Sequence, residues 1–197
     1  GTVGPAIDPA RFVYSTRPNS PTSLIDRYDV NNVFQNTIVF TDNSDPGGNG
    51  FPGWIEDLAF AGNGMLWVGA FNGVIYLIDS TGAIQLQFFT NTTYTGVATD
   101  GVVVYTSRGF NGNGTFDVWD SSGNPIGTIP TIFPGSAGLG WDSDDNTLWA
   151  GYLGGVIRHF AIDGSFLGEL NTGLGAHDGL EVGNPRVGPE CFTLDFE

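Results

Sequence analysis

A period of 41 residues constrains this chain more than any other feature of it. Gly73-Val-Ile-Tyr-Leu-Ile-Asp-Ser-Thr-Gly82 is replayed by Gly114-Thr-Phe-Asp-Val-Trp-Asp-Ser-Ser-Gly123, and again by Gly155-Val-Ile-Arg-His-Phe-Ala-Ile-Asp-Gly164. Around the first copy, Leu66 to Ala70, Val74 to Ile78 and Ile84 to Phe89 alternate as strands do. Asn72-Gly73 and Asp79 to Gly82 supply the turns between them. A unit this short cannot bury its own apolar face, so its copies must stack on one another.

Composition narrows what the repeat can build. A chain of 197 residues with 40% hydrophobic content suits one domain with an ordinary core. The 31 glycines and 15 phenylalanines, with no stretch of helical periodicity, predict many short strands joined by glycine turns, an all-β chain.

Charge excludes several partners. Against 21 acidic residues stand six basic ones, all arginine: Arg11, Arg17, Arg27, Arg108, Arg158 and Arg186. Without a basic footprint, neither nucleic acid nor an anionic lipid surface is an expected partner. No apolar run approaches the roughly 20 residues of a spanning helix, and no basic leader opens the sequence, so a mature, soluble chain is expected. The single Cys191 rules out an internal disulfide and reads as a small hydrophobe. Two glycosylation sequons, at Asn91 and Asn113, fall in predicted turns. With the acidity and the absence of lysine, they point to a secreted, extracellular or cell-surface protein.

Taken in order, Gly1 to Ala10 reads as a lead-in, Arg11 to Thr16 as the first strand, Ser23 to Asp29 and Phe34 to Thr41 as the next two. Trp54 to Phe60, Thr95 to Thr99, Ala137 to Trp141 and His177 to Val182 read as equivalent opening strands. They end in the tetrads Asp57-Leu-Ala-Phe60, Gly96-Val-Ala-Thr99, Gly138-Leu-Gly-Trp141 and Gly179-Leu-Glu-Val182. Small residues alternating with larger ones suit an innermost strand near a common axis. The first repeat lacks an opening strand and the end of the chain has one to spare. Pairing Ala176 to Val182 with Arg11 to Thr16 would therefore close a ring of four radial sheets and remove exposed edges. Val13-Tyr-Ser-Thr-Arg17 matches Val104-Tyr-Thr-Ser-Arg108, and Leu66-Trp-Val-Gly69 matches Leu148-Trp-Ala-Gly151. This alternation favours four sheets over the alternative of five, and places Trp67 and Trp149 in equivalent core positions. One domain is expected over 1–182, followed by a tail over 183–197.

This cadence of strand, Gly, strand, Asp-x-x-Gly, strand resembles the β-propeller superfamily, and within it secreted bacterial repeat propellers, over about residues 11 to 182. It departs from the Trp-Asp-repeat propellers, having no Gly-His and Trp-Asp pair placed as their blades require. The resemblance implies that chemistry, where present, sits at the central mouth. Propeller lactonases and lyases use acidic, Asn or His residues there, and hemopexin-like four-bladed domains hold ions in the channel.

Chemistry is sought where the repeats differ. Glu56, Asp57, His177 and Asp178 stand at the entry of two inner strands, where the other two carry Thr95-Gly96 and Ala137-Gly138. Converging on one axis, they would offer three carboxylates and an imidazole, and Ca²⁺ is the cofactor such oxygen donors suit. Asp142, Asp144 and Asn146 open a loop with calcium-loop spacing, yet lack the glycine and distal glutamate of an EF-hand. Asp42 and Asp45, with Asn43 and Asn49, form a comparable loop. Ordinary turn chemistry explains both loops equally well. No nucleophile motif accompanies either histidine.

The tail ends in Cys191-Phe-Thr-Leu-Asp-Phe-Glu197, with Phe192, Leu194 and Phe196 on one face. Such a strand docks on its own sheet or adds to a neighbour's edge. The favoured expectation is a secreted structural or adhesive protein assembling with copies of itself into filaments. A metal-dependent hydrolase or lyase at the mouth, and a monomeric ligand- or glycan-binding protein using Arg17 or Arg108, are the alternatives.

Overall fold

The computed structural model describes residues 3–7, 12–16, 23–40, 55–70, 73–90, 96–109, 112–175, 177 and 179–182. These residues form sixteen strands and no helix, in four antiparallel sheets of four, each a simple meander. Blade 1 holds β1 (Val3–Ile7), β2 (Val13–Thr16), β3 (Ser23–Tyr28) and β4 (Phe34–Phe40). Blade 2 holds β5 (Ile55–Gly62), β6 (Met65–Ala70), β7 (Val74–Ile78) and β8 (Ile84–Phe89). Blade 3 holds β9 (Gly96–Thr99), β10 (Val103–Ser107), β11 (Thr115–Asp120) and β12 (Pro125–Pro130). Blade 4 holds β13 (Ser136–Asp142), β14 (Thr147–Tyr152), β15 (Val156–Ala161) and β16 (Phe166–Asn171). The first strand of each blade lies innermost, and the blades stand around a common axis as a four-bladed β-propeller.

The turn between the third and fourth strands shows why the repeat is legible. Asp79 accepts hydrogen bonds from the N–H of Thr81 (2.8 Å) and Ala83 (3.1 Å) and from the Gln85 amide (2.8 Å). Gly82, at φ 88°, donates to the Asp79 carbonyl at 3.0 Å, closing a turn that only a residue tolerant of positive φ adopts cheaply. Asp29 and Asp120 bind their own turns in the same way. Blade 4 has Ala161 at that position and uses Asp163 instead, which accepts from Ser165 N–H at 2.9 Å.

Blades pack face to face through an apolar quartet with one residue on each strand. Ala6, Tyr14, Ile25 and Ile38 of blade 1 lie under blade 2. Ala59, Trp67, Ile75 and Phe88 lie under blade 3, and Ala98, Tyr105, Phe116 and Ile129 under blade 4. All twelve are buried. The equivalent residues of blade 4 are Gly140, Trp149, Ile157 and Leu170. Only Gly140 is buried; Trp149 and Ile157 are partly exposed, and Leu170 is 55% exposed. Trp149 therefore differs from its equivalent Trp67, stacking instead on the His159 ring at 4.0 Å.

Both ends of the ring differ from expectation. The lead-in contains β1, which takes the innermost place in blade 1, so both edges of β2 are occupied, by β1 and β3. Pairing of β2 with 176–182 is thereby excluded. Gly4-Pro5 hides this strand in the sequence, and the register of β1 slips between Val3 and Pro5, the kind of irregularity at which a strand accommodates proline. His177 and Gly179 to Val182 form no strand but run beside β13. The Gly138 N–H donates to the His177 carbonyl at 3.3 Å, and a Cβ on Gly140 would stand 2.9 Å from Val182 Cγ2. Cys191 to Glu197 lie outside the described residues, as do Asp42, Asp45 and Asn91. Asn113 is exposed just ahead of β11.

Candidate functional site at the propeller axis

The four tetrads meet at one side chain. Asp57, fully buried on β5, places its carboxylate among the innermost segments of the ring. Its Oδ1 accepts from Leu58 N–H at 3.0 Å and Leu180 N–H at 3.3 Å; its Oδ2 accepts from Leu139 N–H at 2.9 Å and Val97 N–H at 3.1 Å. The four donors are the second residues of the four tetrads. Two oxygens with two lone pairs each are thus matched to four N–H groups, leaving no lone pair for a cation or a proton.

The tetrads make room for this carboxylate by what they lack. Where the blade 2 tetrad has Asp57, the tetrads of blade 3, blade 4 and 179–182 have Gly96, Gly138 and Gly179. A Cβ on Gly96 would collide with the Ala137 carbonyl, and one on Gly138 would come within 2.5 Å of the Gly179 backbone. Only glycine permits the backbones to close in until their N–H groups reach a single shared ligand.

Glu181 stands near Asp57 as a second acid. Burial pushes both carboxyls well above the usual range. For Asp57 the N–H groups of Leu139, Val97 and Leu58 pull the other way, and the charge of Glu181 adds to the rise. Because every lone pair of Asp57 holds an N–H, Asp57 is the member that keeps its charge and Glu181 the one that holds the proton.

The other mouth residues do not share this carboxylate's surroundings. Glu56 is buried beside it in sequence, where the pairing of β5 with β6 is irregular between Ile55 and Asp57. His177 turns to Thr172, whose Oγ1 lies 2.8 Å from Nε2. Asp178 lies outside the described residues. In the β13–β14 turn, Asp142 accepts from Asp144 N–H at 3.0 Å, Asn146 takes φ 59°, and Asp145 bonds Thr147. Among the described residues no three His, Cys, Asp or Glu side chains are grouped to hold a metal ion, and no helix is long and apolar enough to cross a membrane. Arg108 is held in a two-pronged pair with Asp117 at 2.8 and 2.7 Å.

Sequence reasoning singled out Asp57 but missed its partners, because backbone N–H groups have no sequence signature. The available signal was the first tetrad position, with one acid among three glycines. Glu181 carried a similar one, since its place is taken elsewhere by Ala59, Ala98 and Gly140.

Fold and axis together define the class: a four-bladed β-propeller whose centre is tied by its own carboxylate. No protein-family model matches the chain, and no curated protein matches it in sequence.

Proposed function

We propose that this is a secreted structural or adhesive propeller that assembles head to tail with copies of itself into extracellular filaments. One observation carries the reading: the packing quartet buried in three blades is open in the fourth, at Trp149, Ile157 and Leu170. The blade 1 side of that junction is open in the same way. Val13 and Tyr28 of blade 1 are partly exposed, whereas their equivalents Leu66, Val104 and Leu148, and Ile78, Trp119 and Phe160, are buried. Two complementary, non-identical faces joined between molecules give an open chain of subunits rather than a closed dimer.

The outer edges support the same reading. β16 exposes Phe166, Leu167 and Leu170 along an edge with no proline or lysine to discourage pairing. The sequence Cys191 to Glu197, whose alternation would set Phe192, Leu194 and Phe196 on one face of an extended chain, is the segment suited to add there. Burying those three side chains would contribute roughly 1.5–3 kcal/mol each, before the ordering of the strand is subtracted.

Sedimentation and negative-stain microscopy test this. Wild type should form polymers that lengthen with concentration, while Leu170→Asp and the Phe192→Asp, Phe196→Asp double variant should stay monomeric. A wild-type chain that remains monomeric at every concentration overturns the proposal.

A further inference from the structure

The axis suggests more than a structural tie. Four N–H groups from four separate segments converge on one carboxylate, and only one of the four segments supplies it. The carboxylate is therefore a ligand, and the N–H groups are the receptor. Such converging backbone donors are how proteins bind free anions, and they require no basic side chain.

We propose that the propeller axis is a binding site for a single small carboxylate, built from the N–H groups of Leu58, Val97, Leu139 and Leu180, and that Asp57 is its tethered ligand. The spacing suits a carboxylate in particular. Each oxygen takes one donor at 2.9 or 3.0 Å and a second at 3.1 or 3.3 Å, so the group must present two oxygens, each open to two donors. A halide offers one centre to four donors set around two. Sulfate brings two further oxygens, for which the four donors leave no partner. The tethered ligand also explains how 179–182 is held beside β13 without becoming a strand: the Leu180 N–H bonds the Asp57 carboxylate.

The test makes blade 2 like its neighbours. Asp57→Gly removes the ligand and keeps the four donors; its melting temperature should fall by roughly 10 °C or more. Added formate should restore much of that loss along a saturable curve, while chloride or sulfate at matched ionic strength should not. Formate should leave wild type unchanged. Asp57→Asn, which turns an NH₂ towards two of the donors, should be destabilised and gain little from formate. Should Asp57→Gly fail to fold in plain buffer, its refolding yield in formate against chloride supplies the same reading. Equal effects of formate and chloride on Asp57→Gly, or an Asp57→Asn variant as stable as wild type, would overturn the proposal.

Discussion

Aspartate does two different jobs in this molecule. At the rim, Asp29, Asp79 and Asp120 recur at one position in three of the four blades, and each binds N–H groups within four residues of itself. At the axis, Asp57 occurs once and binds N–H groups 40, 82 and 123 residues away. At Asp79 and Asp120 the hydrogen bonds of their own turns lower the carboxyl pKa; for Asp79 the Thr81 hydroxyl is the largest influence. The axial one is buried and pushed up. A repeated residue serves the shape of one blade, whereas a residue that breaks the repeat is free to tie several segments together.

The sharpest way to break this comparison is to remove each kind of aspartate. Asp57→Ala leaves four N–H groups, three of them buried, without an acceptor, at about 1–3 kcal/mol for each buried one that finds no substitute. A loss on the order of 5 kcal/mol in urea unfolding is expected, enough to threaten a marginally stable fold. A loss no larger than that of Asp120→Ala would dissolve the distinction.

Trp67 and Trp149 extend the contrast to packing. Trp67→Ala, inside the interface of blades 2 and 3, should cost about 3–5 kcal/mol through the cavity it leaves. Trp149→Ala, on the open face of blade 4, should cost less than half as much in dilute solution. Equal losses would mean that the face is covered even in the monomer.

A smaller effect concerns pH. With its pKa raised, Glu181 makes the folded chain bind more protons than the unfolded one above the ordinary Glu range, so stability falls as pH rises through that window. Lowered pKa values at Asp79, Asp120 and Asp163 act oppositely, and their contribution is lost only as pH drops below about 4. The melting temperature should therefore rise from pH 7 towards pH 5 and fall in stronger acid. Glu181→Gln should be more stable than wild type at pH 7 and show a flatter rise. An identical profile in both would remove Glu181 from the axis.

The least effect is expected at the rim. Asp120→Ala should speed hydrogen exchange at the Ser122 and Asn124 amides while leaving exchange of the β9 and β13 amides unchanged.

How much of this was legible depended on distance along the chain. The strands Val74–Ile78 and Ile84–Phe89 follow directly from alternation between turn residues, because strand period and turn chemistry are local. β1 was not legible, since Gly4-Pro5 reads as a break and only its pairing with β2 makes it a strand. The sequence His177 to Val182 carried the pattern of an inner strand, but β1 already held the place beside β2, and His177 and 179–182 form no strand. The tetrad alignment marked where the axis would be. That one carboxylate would satisfy all four tetrads was beyond the sequence, because the acceptors of backbone N–H groups are chosen by geometry rather than by residue type.

The sequence by itself determined the all-β class, the 41-residue unit, the number of blades and the turns between strands. Each follows from interactions within a few residues, repeated until the pattern is unmistakable. Tertiary structure alone decided which segment fills the innermost place of blade 1, which packing quartet stays open, and which acid loses its proton at the axis. Those outcomes turn on competition between distant segments for the same neighbours, and on the burial that only the assembled ring imposes.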